Sequence, residues 1–101
     1  MDDFFEVFTK KEEVTQYKNG AVKTEQYFYN NEGKINYFES VLKSEDEHEI
    51  LIHKRNESKK DEIYIYNDHV ILEIVENHTP KNYYKCLEHV STIEDSIIGE
   101  L

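Results

Sequence analysis

Cys86 and His89 are the two residues of this sequence whose types and spacing come closest to a chemical site. A thiol and an imidazole three residues apart lie on the same side of a helix, where they could act as nucleophile and base or as two metal ligands. Cys86 also falls on the apolar side of the predicted helix, and a buried cysteine usually behaves as a small, unreactive hydrophobic side chain. We therefore expect Cys86 to have a structural role.

A metal site would need further ligands, and the other histidines do not supply them at suitable spacing. A zinc site takes four ligands, commonly as two close pairs, and the sequence has no second close pair of cysteine or histidine. His48 and His53 lie five residues apart, and on a strand an odd separation directs two side chains to opposite faces. The three glycines are isolated from one another, so no glycine-rich phosphate loop is present. The sequence predicts no metal, no cofactor and no enzyme activity.

Acidic residues give the strongest signal about a partner. The 101 residues include 22 Asp and Glu against 12 Lys and Arg, a formal net charge of −10. Direct binding of DNA or RNA needs a basic surface that displaces counterions from phosphates, and an anionic membrane would repel this chain. The charge therefore favours a basic protein as partner, and solubility is the alternative explanation for it.

Two groups of carboxylates are the predicted contact residues. No Lys or Arg follows Lys85, although a helix C-terminus favours cations, so the last helix breaks a local rule without evident compensation. One group lies on that helix and the other on an acidic loop. They are Glu88, Glu94, Asp95 and Glu100, and Glu45, Asp46, Glu47 and Glu49.

Tyrosine is also abundant, with eight in the chain. Its ring is apolar and its hydroxyl forms hydrogen bonds, so it is common both in cores and in interfaces. On a sheet face that a single helix leaves open, tyrosines would be available to a partner, and cross-strand packing is the alternative. The candidates are Tyr27, Tyr29, Tyr37, Tyr64 and Tyr66.

Two hairpins begin the framework that must position these residues. The Asn-Gly pair at 19–20 predicts a two-residue type I′ turn, because both turn residues of that type have positive φ. Such a turn would place Tyr17 opposite Val22 and Thr15 opposite Thr24.

The second hairpin is predicted to turn at Gly33, where a three-residue loop with a bulge needs a left-handed residue. This loop would place Tyr29 opposite Ile35 and Tyr27 opposite Tyr37. Three further strands are predicted within residues 48–54, 63–66 and 70–75.

The last segment changes to a helical period. Thr79 as N-cap and Pro80 as first helical residue predict the start of a helix, and Gly99 predicts its end. Ser91 is an alternative start for a second short helix. At the other terminus, residues 3–11 fit either a short helix or an edge strand.

These elements predict one α+β domain over residues 1–101, an antiparallel meander of five or six strands with the C-terminal helix packed on one face. Because apolar residues occur on both faces of the strands, the second face would be solvated, covered by the N-terminal segment, or paired with another copy. We expect a homodimer.

The sequence favours a small acidic protein that inhibits or masks a basic nucleic-acid-handling protein, such as a host nuclease or defence complex. The lone cysteine and the acidic start favour the cytoplasm. The excess of Lys over Arg is typical of AT-rich genomes, which fits a phage-encoded, anti-CRISPR-like inhibitor or an immunity protein for a nuclease toxin. The alternative is a structural or assembly module that dimerises through its open sheet face and inhibits nothing.

Overall fold

The computed structural model describes residues 9–99, which form one antiparallel sheet and one helix. Every strand pairs with the next strand in the chain, so the sheet is a six-stranded meander and the predicted α+β architecture is confirmed. Of residues 3–11, the last three lie in an edge strand, and residues 3–8 lie outside the described residues. The elements are β1 (Thr9–Gln16), β2 (Val22–Tyr29), β3 (Ile35–Lys43), β4 (Ile50–Asn56), β5 (Asp61–Tyr66), β6 (His69–Ile74) and α1 (Tyr83–Ile98).

The first hairpin differs from the predicted one by one residue in register. The Tyr17 N–H donates to the Ala21 carbonyl at 2.9 Å, which encloses a loop of three residues, and Gly20 adopts the left-handed φ of +92°. The predicted type I′ turn and both of its cross-strand pairs are therefore wrong. Val14, and not its neighbour in the chain, faces Thr24.

The side chain of Asn19 accounts for the longer loop. Its Oδ1 accepts the Ala21 N–H at 3.1 Å, and its Nδ2 donates to the Ile97 carbonyl at 2.7 Å. The three-residue loop thus allows one amide to close the turn and to bind the end of α1. This tertiary contact overrides the local preference of an Asn-Gly pair for a tighter turn.

The second hairpin turns as predicted at Gly33, which has a φ of +79°. The predicted pairing of Tyr29 with Ile35 is confirmed. A bulge directly beyond this pair shifts the register by one residue, because one strand carries an extra residue there. The predicted partner of Tyr27 is therefore wrong, and Tyr27 faces Phe38.

A two-residue turn with two left-handed residues connects β5 to β6. Asn67 and Asp68 have φ values of 46° and 69°, and the flanking residues Tyr66 and His69 face each other. Asn and Asp tolerate this region because their short side chains bond locally. Asn67 Oδ1 also accepts the Ile50 N–H at 2.8 Å, which ties this turn to the start of β4.

The helix begins at Tyr83, after a turn in which the Tyr83 N–H donates to the Pro80 carbonyl at 3.1 Å. The predicted start at Thr79 and Pro80 is therefore too early. The helix continues without a break through Ser91, and it ends, as predicted, at a left-handed Gly99. No helix within residues 9–99 is long and apolar enough to cross a membrane.

The helix covers one face of the sheet. Within the described residues, nothing covers the opposite face. Apolar side chains are predicted on both faces of the sheet, and only those on the helix side are covered. The core between helix and sheet is small. It consists of Ala21, Leu42, Leu51, Leu72, Val90, Ile93 and Ile97.

Candidate protein-binding site

Four segments meet at one end of the molecule. In an antiparallel meander the connections after β1, β3 and β5 lie at the same end of the sheet, and the helix also ends there. The bond from Asn19 to Ile97 joins the first loop to the helix, and Asn67 joins the last turn to the strand start at Ile50. We call residues 17–20, 44–49, 67–68 and 94–99 the acidic end.

The acidic end has a large excess of negative charge. Within its four segments, seven carboxylates accompany one basic residue, Lys18. Two of these carboxylates contact lysines of the neighbouring strands, since Glu47 lies 3.4 Å from Lys43 and Glu94 lies 3.7 Å from Lys23. The seven are Glu45, Asp46, Glu47, Glu49, Asp68, Glu94 and Asp95.

The connections at the opposite end of the sheet are balanced in charge. Within residues 30–34, 56–61 and 75–82, four acidic residues accompany four basic ones. The net charge of the described chain is thus distributed asymmetrically along the strand direction. The acidic residues are Glu32, Glu57, Asp61 and Glu76, and the basic residues are Lys34, Lys59, Lys60 and Lys81.

The end of the helix adds to the negative potential at the acidic end. The C-terminus of a helix carries a partial negative charge from its unpaired carbonyl groups. The last turn of α1 contains no basic side chain, and Gly99 caps it through a backbone N–H that donates to the Asp95 carbonyl. Asn19 is the neutral donor that satisfies the Ile97 carbonyl. The partial charge of the helix end and the carboxylates of the loop therefore both make the potential at the acidic end more negative.

Some of these carboxylates also build the loop that presents them. Asp46 accepts hydrogen bonds from the Ser44 hydroxyl at 2.7 Å and from the His48 N–H at 3.0 Å, and these bonds hold the pKa of Asp46 below its usual value. Glu49 accepts the Tyr66 hydroxyl at 3.0 Å. Among the residues that the structure describes, Glu45, Asp68 and Asp95 form no ion pair and no side-chain hydrogen bond. These three are therefore the carboxylates best suited to meet a partner.

The acidic end contains all four predicted carboxylates of the loop and two of the four predicted on the helix, Glu94 and Asp95. A shallow groove runs from the acidic loop to the last turn of α1, with Glu45 and Asp46 on one side and Ser96 on the other. Glu88 is exposed on the helix about 10 Å before Asp95 along the axis, outside the acidic end. Glu100, the remaining predicted contact, lies outside the described residues.

The predicted tyrosines do not form one surface. Tyr64 and Tyr66 pack against the core beneath the helix, so their predicted position on the open face is wrong. Tyr27 alternates onto the helix side as well, where its ring centre lies 5.0 Å from that of Phe38. Tyr37 lies on the open face. The final candidate, Tyr29, lies two residues after Tyr27 on β2 and therefore on the same side of the sheet, the helix side.

His53, which the sequence offered only as a metal ligand, is a partly buried polar residue. Its Nε2 lies 2.6 Å from Glu62 Oε2, and its ring stacks on Tyr64 at a centroid distance of 4.0 Å. Burial lowers the pKa of His53, against the opposing effect of Glu62, and burial raises the pKa of Tyr64 to about 12. Ser40 directly faces His53, and both line a cavity of about 250 Å³ beneath α1. Ser40, His53 and Tyr64 face one another in a row across β3, β4 and β5. Only knowledge of this strand register could have predicted the cluster.

Nε2 of His53 is engaged by the carboxyl group of Glu62, so the imidazole is not a free base. Cys86 is partly buried on α1, and His89 is exposed. Within residues 9–99, no group of three or more His, Cys, Asp or Glu side chains is placed to hold a metal ion. The acidic end is therefore the strongest candidate for function.

No family model matches the chain, and comparisons with curated proteins and with solved structures find no match.

Proposed function

We propose that this protein binds a basic, nucleic-acid-handling protein through its acidic end and thereby blocks that protein's nucleic-acid site. The observation that carries the proposal is the charge asymmetry, in which four segments far apart in sequence place seven carboxylates at one end while the opposite end is balanced. A surface of this kind attracts a basic partner over a distance and repels nucleic acid.

The placement of charge supports masking better than it supports solubility. A solubilising charge has no reason to collect at one end, and it gains nothing from a helix C-terminus that lacks basic residues. Carboxylates held on a short, hydrogen-bonded loop are also partly ordered before binding, which reduces the entropy lost on association. They would occupy the positions that phosphates take in the partner's site.

The partner class that we propose is a host nuclease or defence complex in the cytoplasm, with this protein as a phage-encoded inhibitor or as an immunity protein for a nuclease toxin. The AT-rich imprint, the small size and the lone cysteine support this setting. These features are compositional and do not identify a particular partner. The experiment therefore tests first whether the partner is basic.

The experiment compares two charge-reversed variants that carry the same formal charge. Glu45→Lys with Asp95→Lys changes two of the three unpaired carboxylates of the acidic end, and Glu32→Lys with Glu76→Lys makes the same change at the balanced end. Glu94 is left unchanged because it contacts Lys23. Binding to proteins captured from a host lysate, and to a purified basic nuclease, is measured by biolayer interferometry at rising salt.

We expect the acidic-end variant to lose affinity by about tenfold or more, mainly through slower association, and the control to change much less. Binding of the wild type should weaken steeply between about 0.05 and 0.5 M NaCl, and an oligonucleotide should compete with it. Equal losses in both variants, binding that ignores salt, or a partner that holds nucleic acid and this protein together would each refute the proposal.

A further inference from the structure

We infer that two copies of this protein associate face to face through the sheet surface opposite α1. This inference concerns a different surface from the acidic end and does not depend on the proposed function. The occupant is a second copy of the chain, and the case for it is the composition, the area and the charge pattern of that surface.

The centre of the surface is a continuous row of side chains that crosses all six strands. Each member directly faces the next in the register of the sheet, and every member is β-branched. The two ends of the row are more than half exposed, with Val14 at 56% and Val70 at 55% of the residue surface. The row, which we call the β-branched row, is Val14, Thr24, Val41, Ile52, Ile65 and Val70.

Three apolar side chains beside the row extend its apolar area, and the other positions directly beside the row are charged or amide residues. Val22 and Ile50 both face Lys43 from the strands beside it, and Ile63 lies on the same face beyond Ile65. β-branched side chains are stiff and pack well on a pleated surface, so little rotamer entropy is lost when a second sheet covers them. An exposed apolar row with polar residues at its margins is characteristic of an interaction surface.

The shape of the chain also indicates an uncovered layer. The radius of gyration is 15.4 Å, whereas a compact domain of 100 residues has about 13 Å. The molecule is a slab about as thick as one helix on one sheet, with a smallest extent of 20 Å. Its core of buried apolar residues is correspondingly small. A second sheet on the open face would supply the missing layer of a sandwich.

The available area is sufficient for a specific dimer. Six strands about 4.8 Å apart span about 29 Å, and three side-chain rows along the strands span about 20 Å, so each copy would contribute about 600 Å². The total of about 1,200 Å² reaches the lower limit of stable, specific interfaces. We therefore expect a dissociation constant in the micromolar range rather than an obligate dimer.

Charge selects one arrangement of the two copies. A two-fold axis along the β-branched row places the row on its own symmetry mate and puts the two acidic ends at opposite ends of the dimer, where they repel least. Glu39 and Lys43 lie on this face, two residues before and two residues after Val41 on β3. The same axis therefore places Glu39 of each copy opposite Lys43 of the other copy, which forms two complementary pairs.

Sedimentation equilibrium over about 1 to 100 μM tests the association. We expect the wild type to move from the 12.1 kDa of one chain toward twice that mass. Val70→Lys, at a position that is already 55% exposed, should raise the dissociation constant about tenfold or more and leave the circular dichroism unchanged. Ile52→Lys should do the same at the centre of the row. The control is Tyr84→Lys, which removes an aromatic residue that is 78% exposed on α1, and it should still dimerise.

Exchanging the charges of Glu39 and Lys43 tests the position of the two-fold axis. Glu39→Lys and Lys43→Glu should each weaken the dimer, because each creates two like-charge contacts, and the double variant should restore it. A wild type that remains at the mass of one chain would overturn the inference. So would a dimer that tolerates both row variants, or a monomer that dimerises only after residues 1–8 are removed, since those residues would then be the cover. Failure of the single charge variants to weaken the dimer would overturn the proposed arrangement.

Discussion

His53 shows how burial alters the chemistry of one side chain. The ring lies between Phe38 and Tyr64 on the helix side, and its Nε2 is bonded to the carboxylate of Glu62. Removal from water disfavours the charged imidazolium, and the nearby positive charge of Arg55 acts in the same direction. The pKa of His53 therefore lies below its ordinary value of 6.5 in the folded protein even though a carboxylate contacts it.

This depressed pKa predicts how the free energy of unfolding depends on pH. The unfolded chain takes up the His53 proton at a higher pH than the folded chain does, so acid favours unfolding. The contribution of the neutral histidine is complete above about pH 6.5 and is lost as the pH falls from there toward the folded pKa. Chemical denaturation of the wild type and of His53→Gln at several pH values checks this. We expect a smaller loss on acidification in the variant.

His89→Gln is the matched control, because it makes the same substitution at an exposed position on α1. It should lose stability on acidification as the wild type does. If His53→Gln kept the full acid dependence of the wild type, the histidine would not be the group responsible.

The hairpins show how element geometry depends on single backbone positions. Both the first and the second hairpin use a three-residue loop whose last residue, Gly20 or Gly33, is left-handed. A Cβ on Gly20 would lie 2.7 Å from the carboxyl group of Glu45, whereas a Cβ on Gly33 would meet nothing within 4 Å. Both positions therefore require a positive φ, and they differ only in the side chains that surround them.

We expect Gly20→Ala and Gly33→Ala each to lower the free energy of unfolding by about 1 kcal/mol or more, because an alanine resists positive φ. The two losses should be similar, since the Glu45 side chain is exposed and can turn away from the new methyl group. Urea denaturation measures both. Gly33→Asn should be less costly than Gly33→Ala, because asparagine tolerates the left-handed region. Unchanged midpoints in the alanine variants would contradict this loop geometry.

The molecule as a whole concentrates like charge. A net charge of −10 on 101 residues opposes compaction through self-repulsion, and the acidic end holds much of that charge close together. Salt screens such repulsion over a Debye length of about 10 Å at 0.1 M. The few surface ion pairs are exposed and contribute little to stability. Screening should therefore stabilise this protein.

We expect the thermal midpoint to rise as NaCl increases from about 0.02 to 0.5 M. Asp95→Lys should show a weaker dependence on salt and a higher midpoint at low salt, because a cation at a helix C-terminus contributes about 0.3–1 kcal/mol. Glu32→Lys, at the balanced end, should keep most of the salt dependence. Differential scanning calorimetry measures all three proteins, and a midpoint that falls with salt would show that ion pairs outweigh repulsion.

Local patterns were sufficient to predict the architecture. Alternation and turn residues predicted a meander of strands, and the three- and four-residue period before Gly99 predicted the final helix, because these signals arise between residues that are close in sequence. The left-handed Gly33 and its pair Tyr29–Ile35 were predicted for the same reason. Composition likewise predicted a preference for a basic partner, since net charge does not depend on the fold.

Tertiary structure determined how these elements are combined. The contact of Asn19 with Ile97 lengthened the first loop, and the bulge beside Tyr29 moved Tyr27 onto Phe38. A slip of one residue reverses the face of every side chain on a strand, so tyrosines expected on one surface were divided between two. The meeting of the acidic loop with the end of α1, and the β-branched row, depend on the register of several strands at once. Such long-range pairing leaves no trace in local spacing, because contacts distant in the chain are set by packing rather than by neighbouring residues.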